Sequence, residues 1–377
     1  MDFSSVIAFI ENEIRGNRGV PGCDFQVMQD HEVLFRYRSG TSDEKGVVPV
    51  SGQELYYMYS CTKPITCAAG MQLVEQGRLL LDAPVSTYLP EFRDVFVLKD
   101  GQPTAPSRTM TVRHLFTMSA GFDYNWGKPP LKALLAANPH ANTRTVVGTF
   151  IQSPLVFDPG ERFQYSLCHD VLAAVIEVVA GMTFSDYLKR SIFEPLGMTH
   201  TGFFPTEAET AAMAAQFLFQ PPHTITPMEK VNSFRITDAY ESGGAGLYSC
   251  LDDYARFADA MANGGIGASG ASILMPETID QMRAPQLTKY LVNDAFSIPA
   301  GPGYGYGLGV RTLIDRSRGQ RSAIGEFGWD GAAGSYLMMD PTHRLSIVFL
   351  MHVRNWVPLL GHSHAALRDL TYEALGL

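Results

Sequence analysis

Strand-like alternation lies near both ends of this chain and helical periodicity fills the stretch between, an ordering that constrains the fold more than any single motif. Near the start, "DFQVMQDHEVLFRYRSG" alternates apolar and polar residues around a polar turn at Gln29 to His31, the pattern of a β-hairpin. Near the end, "GYGYGLGVRT", "SAIGEFGWDG", "GSYLMMD" and "LSIVFLMH" read as consecutive antiparallel strands, the last two joined by the tight turn "DPTHR". From Thr62 to about Gly77 the period is helical, with Thr66, Ala69, Gly70, Leu73 and Val74 on one small or apolar face and Gly77 placed to end the helix. "CHDVLAAVIEVVAG" predicts a buried helix stopped at Gly181, whereas residues 203–240 show little periodicity and several prolines and read as a long wrapping loop. An amphipathic helix with Phe3, Ile7, Ile10 and Ile14 on one stripe opens the chain, and a helix from about Val357 to Leu375 closes it. The expected architecture is α+β, with an antiparallel sheet flanked by helices and built from residues 1–58 and 240–377. A mainly helical part, residues 59–239, is inserted between them, the whole forming a single domain over residues 1–377.

Charge and cysteine usage exclude several function classes. A net charge of -9 and the lack of any Lys/Arg-rich run argue against a nucleic-acid partner. No run approaches the roughly 18 apolar residues of a membrane span, so no membrane partner is expected. The N-terminus lacks a basic region, a continuous apolar stretch and a small-residue cleavage site. The five cysteines, Cys23, Cys61, Cys67, Cys168 and Cys250, are an odd number at irregular spacing, which predicts free thiols and a cytoplasmic protein.

The chemistry centres on "YYMYSCTKPITCAAGMQLVEQGRLLLD", where Ser60 and Lys63 stand three residues apart. Such a pair is expected about once by chance in a chain of this length, and a second one, Ser42 and Lys45, lies in the charged turn "TSDEKG". Ser60 differs in context, because it follows the apolar run "LYYMY" and opens an amphipathic helix. One helical turn brings Lys63 beneath the serine oxygen. The helix N-terminus offers a backbone N–H and a positive dipole end to an oxyanion. Read from this stretch alone, Ser60 is either a nucleophile assisted by Lys63 or a plain helix cap. Rival schemes lack their residues: no Gly-x-Ser-x-Gly elbow occurs, and His169 and Asp170, being adjacent, point apart, His169 partly exposed and Asp170 structural. His362 and His364 diverge at i, i+2 as metal ligands. No metal and no cofactor is expected.

Five segments in order then resemble the serine β-lactamase and penicillin-binding-protein superfamily, near its class C and family VIII carboxylesterase branches. They are "SCTKPITCAAGMQLVEQGRLLLDAPVSTYLPEF", "MTVRHLFTMSAGF", "PGERFQYSLCHDVLAAVIEVVAGMTFSDYLKRSIFEPLGMTHTGF", "GGAGLYSCLDDYARFADAMANGG" and "GYGYGLG…FGWDGAAGSYLMMDP". The resemblance covers roughly residues 5 to 375 and implies the β-lactamase/transpeptidase-like fold. It makes Ser60 the nucleophile, with Lys63 and Tyr165 moving protons, and assigns an oxyanion hole to the backbone N–H groups of Ser60 and Ala332.

Departures from the family pattern set the expected substrate. Where the family has Tyr-x-Asn the chain reads Tyr165-Ser166-Leu167, losing an amide that contacts peptide and β-lactam substrates. Where penicillin-recognising enzymes have Lys-Thr-Gly it reads Trp329-Asp330-Gly331, replacing a carboxylate-holding cation with an indole and adding a negative charge that would repel a substrate carboxylate. Gly331 leaves room for substrate, and Phe122, Tyr124 and Trp126 either line an acyl or alcohol pocket or belong to the core. Arg354, before the last helix, either meets a substrate carboxylate or is a solvated arginine. The expected function is a serine hydrolase working through an acyl-enzyme, a carboxylesterase on small-molecule esters with small or apolar acyl groups. The alternatives are an acyltransferase to an alcohol or amine, a β-lactamase or D-alanyl-D-alanine peptidase, and a non-catalytic binding protein.

Overall fold

The computed structural model describes residues 1–221, 224–287, 303–317, 319–356 and 362–377. Seven strands form one antiparallel sheet: β1 (Gly22–Gln29), β2 (Glu32–Gly40), β3 (Tyr304–Tyr306), β4 (Arg311–Leu313), β5 (Phe327–Asp330), β6 (Tyr336–Asp340) and β7 (Leu345–Met351), in the order β2-β1-β7-β6-β5-β4-β3. Both ends of the chain meet where β1 pairs with β7, Phe25 opposite Phe349. The β1–β2 hairpin closes through Asp30 and His31, both at positive φ, the backbone that a two-residue turn requires.

Five helices matter for the sheet and the site: α1 (Ser4–Phe9), α2 (Thr62–Glu75), α3 (Cys168–Ala180), α4 (Leu251–Ala262) and α5 (His364–Leu375). The inner strands β5, β6 and β7 are buried on both faces. Tyr336, Met338, Ile347, Phe349 and Met351 point to the side covered by α1, its π-wound continuation Ile10–Asn17, and α5. Their alternates Leu337, Met339, Val348 and Leu350 join the larger core that holds α2, α3 and α4. This two-sided burial explains why the sequence "LSIVFLM" is continuously apolar rather than alternating.

Three sequence expectations change. The first helix buries Val6, with Phe3, Ile10 and Ile14, while Ile7 is only half-buried. Helix α2 is not amphipathic: every residue from Thr62 to Leu73 is buried, as expected of a helix through the centre of a core. It approaches its neighbours closely, since a Cβ on Gly70 would lie 2.7 Å from the Phe116 ring. Residues 203–240 are not a loop throughout; they hold a capped helix, Glu207–Ala212, and a hairpin of Gln216–Gln220 with Thr224–Met228. Within the closing helix, α5 accounts for the C-terminal part, and residues 357–361 of the expected span lie outside the described residues. All five cysteines are free and buried, and among the described residues no single helix is long and apolar enough to cross a membrane.

Toward its C-terminal end, helix α3 holds an unfavourably placed carboxyl. Burial pushes the Glu177 carboxyl up to about 7, and the neighbouring Glu241 charge adds to the rise. The folded state therefore holds a proton that the unfolded chain releases near its ordinary value of 4.5, so stability falls as pH rises from about 4.5 to about 7. Glu177→Gln should raise the melting temperature at pH 8 by more than at pH 4.5; an equal shift at both would show that the carboxyl is not perturbed.

Candidate active site

Ser60 lies in a single 3₁₀ turn, Tyr59–Cys61, that leads into α2. Tyr59 takes φ +47, a left-handed backbone that costs a side-chain-bearing residue about 1–3 kcal/mol. The surroundings hold it there: Tyr59 is fully buried, its hydroxyl donates to the Gln216 side chain, and the Arg354 guanidinium sits 5.1 Å over its ring. The kink turns Ser60 out of the core to partial exposure while Lys63, one helical turn on, stays inside.

The sequence-predicted catalytic group converges. Tyr165 Oη donates to Ser60 Oγ at 2.7 Å and Lys63 Nζ donates to the same oxygen at 3.2 Å. Lys63 is fully buried, and an ammonium there is costly unless its three hydrogens find acceptors. They find the Gly244 carbonyl at 2.6 Å, Ser60 Oγ, and Tyr124 Oη at 3.5 Å. Nζ also lies 4.6 Å above the Tyr165 ring, a cation–π contact.

Asp170, one turn into α3, organises the far side of Lys63. Both it and His169 are fully buried, against the expectation that His169 is partly exposed. Burial pushes the His169 imidazole down to about 3, so it stays neutral against Cys67 Sγ, 3.5 Å away, and the Phe116 carbonyl. Asp170 Oδ1 accepts from Tyr240 Oη and Ser242 Oγ, each at 2.6 Å, and from the Gly244 N–H at 3.4 Å. Burial raises its carboxyl, opposed by the Ser242 and Tyr240 hydrogen bonds and the Lys63 charge. Gly244 must be glycine: a Cβ there would sit 2.7 Å from Asp170 Oδ2 and 3.4 Å from Lys63 Nζ. Tyr240, Ser242 and Gly244 escaped the sequence reading as individual residues, although Gly244 lies in the resembling segment that begins "GGAGLYS".

The third element is the turn after β5. Gly334 N bonds to Gly331 O at 2.9 Å, Gly331 N to Ser335 O at 2.8 Å, and Val353 N to Ala333 O at 3.0 Å, which pins the turn. Ser335 Oγ donates to the Met58 carbonyl, joining it to the nucleophile's turn. A Cβ on Gly331 would lie 2.5 Å from that carbonyl, so only glycine lets the two turns meet. The Ala332 N–H makes no hydrogen bond among the described residues.

Aromatic rings wall the site. Tyr124 stacks on Tyr165 and Tyr165 on Trp329, with centroids 5.5 and 5.8 Å apart, and Trp329 Nε1 donates to Tyr165 Oη at 3.4 Å. Loss of solvent around its hydroxyl pushes the Tyr124 phenol well above the usual tyrosine range, so it stays a neutral partner of Lys63. Trp126 and Phe234 continue the wall, Phe234 edge-on to Tyr59 and Tyr124 at 5.9 Å. Phe234 was missed because it comes from the segment read as a loop. Phe122 is core, packed on Phe92 and Phe150.

Three predicted contacts fall elsewhere. Asp330 turns its carboxylate inward: Oδ2 accepts from Arg311 at 2.8 Å and Oδ1 faces His364 Nδ1 at 2.7 Å. The expected repulsion of a substrate carboxylate by Asp330 is therefore withdrawn, because its charge is matched in the core. Leu167 is buried at the start of α3 and lines a small cavity with Phe122, Leu131 and Phe150, away from the Ser60 hydrogen bonds. Arg354 donates to Ser233 Oγ at 2.8 Å in addition to covering Tyr59. The second Ser-x-x-Lys is inert: Ser42 bonds to Val48 O and Lys45 is exposed. His200, Cys250 and Asp253 bring ligand atoms within 4.8 Å of one another, but Asp253 already accepts from His200 N, Thr201 Oγ1 and Arg256.

Comparison with known proteins bears on the family and the fold. The profile of the Beta-lactamase family matches residues 8–370. Esterase EstB of Burkholderia gladioli is 30% identical over 381 residues, covering 92% of this chain and 89% of EstB. The structure of EstCE1, described as a hydrolase with promiscuous acyltransferase activity, superposes with a TM-score of 0.82 at 26% identity, over 98% of each chain. Simvastatin synthase LovD of Aspergillus terreus shares the fold, with a TM-score of 0.80 at 20% identity over 100% of this chain and 99% of LovD. With the matched profile spanning nearly its whole length and a serine, lysine and tyrosine converging on one oxygen, the chain belongs to the Beta-lactamase family as a serine hydrolase near its esterase branch.

Proposed function

We propose that this protein is a carboxylesterase that forms an acyl-enzyme on Ser60, with esters of small or apolar acyl groups as substrates. The observation that carries this reading is the placement of Ser60 Oγ within hydrogen-bond reach of both Tyr165 and Lys63 on an aromatic-walled surface. Lys63 Nζ is held against Gly244 O, Ser60 Oγ and Tyr124 Oη. Lys63 and Tyr165 then act as a coupled pair that enters with one proton fewer than its full complement and takes the serine proton as Oγ attacks the ester carbonyl. The tetrahedral oxyanion is held by the N–H groups of Ser60 and Ala332. Tyr165 hands the proton to the departing alkoxide, and water, activated in the same way, cleaves the acyl-enzyme to release the acid.

Substrate choice follows from the walls. Trp329 and Tyr124 offer ring faces rather than a cation, and Asp330 and Arg354 are engaged elsewhere, so a substrate carboxylate gains no specific partner. This favours neutral esters over penicillins and D-Ala-D-Ala ends. Acyl transfer to an alcohol would pass through the same intermediate, and the similarity to EstCE1 supports it as a second reading.

Wild-type protein should turn over p-nitrophenyl acetate and butyrate and take one phosphonate adduct, with both lost in Ser60→Ala; turnover that survives in Ser60→Ala would overturn the assignment. Tyr165→Phe should lower kcat by about 10²–10⁴-fold with little change in KM, the range for loss of a general base. Asp170→Asn should keep the fold but lower kcat by about tenfold, because a hydrogen-bonded charge worth about 1.5–3 kcal/mol is removed from the loop that holds Lys63. Unchanged kcat in Asp170→Asn would show that the Gly244 loop is positioned without it.

A further inference from the structure

The turn that carries Ala332 is braced from behind by a histidine. His364, the first residue of α5, is 2% exposed, with Nδ1 2.7 Å from Asp330 Oδ1 and Nε2 3.1 Å from the Gly334 carbonyl oxygen. A carbonyl oxygen can only accept. The Asp330 carboxylate also accepts here, since its other oxygen takes Arg311 Nη1 at 2.8 Å. A neutral imidazole has one N–H and one bare nitrogen, so either tautomer would set a lone pair against an acceptor oxygen. Both contacts are satisfied together only when both ring nitrogens carry hydrogen.

We propose that His364 stands as an imidazolium and is a positioning residue for acyl transfer, its two N–H groups tying the end of β5 to Gly334 and so fixing the turn from Gly331 to Gly334 that aims the Ala332 N–H. The catalytic consequence rests on the esterase reading above; the charge state does not. The surroundings suit a cation. The Tyr336 ring stacks on the imidazole at 4.7 Å, and Phe349 meets it edge-on at 6.1 Å. Beyond Asp330, Arg311 lies 4.0 Å from Glu326, and Arg368, four residues along α5, bonds to Asp369 and to the Tyr304 hydroxyl, which donates to Glu326 at 2.5 Å. His364, Arg311 and Arg368 are thus matched by Asp330, Glu326 and Asp369. An imidazole with a single N–H would leave either Asp330 or Gly334 facing a bare nitrogen and loosen the turn.

The test pairs nitrogen spectra with two variants that each keep one arm. In wild type labelled with ¹⁵N-histidine, the His364 signals, identified by their loss in His364→Asn, should show two protonated nitrogens at pH 7; a neutral-tautomer pattern would overturn the proposal. His364→Gln places its amide near Nε2 and keeps the donor to Gly334, whereas His364→Asn keeps only the donor to Asp330. Asn should lower kcat by about tenfold with KM within about twofold, and Gln should lose less than about threefold, as expected for disturbance of one oxyanion donor. Wild-type kcat in both folded variants would refute the positioning role. A wild type that neither turns over esters nor takes the phosphonate would instead sink the esterase reading, and the nitrogen spectra would still decide the charge state.

Discussion

Everything at this site depends on how closely two turns approach. The Gly331 turn after β5 and the Ser60 turn before α2 come from chain segments some 270 residues apart, and they meet through the Met58 carbonyl and the Ser335 hydroxyl. With no room for even a methyl group on Gly331, the approach is fixed by backbone shape rather than by adjustable side chains. An oxyanion hole built from main-chain N–H groups needs that rigidity, because its donors must already be in place when charge develops. The sheet supplies it: β5 is an inner strand, buried on both faces, and its end is tied to Arg311 on the neighbouring strand and to α5.

The second constraint is a buried lysine. Lys63 cannot be solvated inside α2, so the fold surrounds it with polar atoms from its own turn, Ser60, and from two distant segments, Tyr124 and the Gly244 carbonyl. The loop bearing Gly244 is in turn held by Asp170, itself buried and fed by Tyr240 and Ser242. The arrangement is costly wherever one member is missing, since the remaining polar groups stay buried without a partner. It also gives Lys63 a single position relative to Ser60 and Tyr165, which proton transfer requires.

Much of this was legible in the sequence where local geometry decides. Ser60 and Lys63 are linked by one helical turn, the β1–β2 hairpin by its two-residue turn, and α2 ends near Gly77, which takes the positive φ of a helix C-terminus. The pieces that escaped are those set by partners far along the chain. Asp330 was read by the sign of its charge, but its meaning comes from Arg311, on the strand beside it, and from His364, 34 residues on. The pair His362 and His364 was weighed as a metal site, when the acceptors facing His364 give it a different role. The prolines of residues 203–240 argued for a loop, yet Pro227 sits in Thr224–Met228, an outer strand of a three-stranded sheet, where a missing N–H is tolerated. Phe234, in a turn beyond that hairpin, completes the aromatic wall through partners distant in sequence.

The most direct test of the central claim is a crystal structure of the protein after reaction with a phosphonate ester, whose tetrahedral phosphorus imitates the intermediate. The account predicts a covalent bond from Ser60 Oγ to phosphorus, with one phosphoryl oxygen about 3 Å from both the Ser60 and the Ala332 backbone nitrogens and the Tyr165 oxygen beside the leaving-group position. An adduct on another residue, or one whose phosphoryl oxygen points away from Ala332, would contradict it.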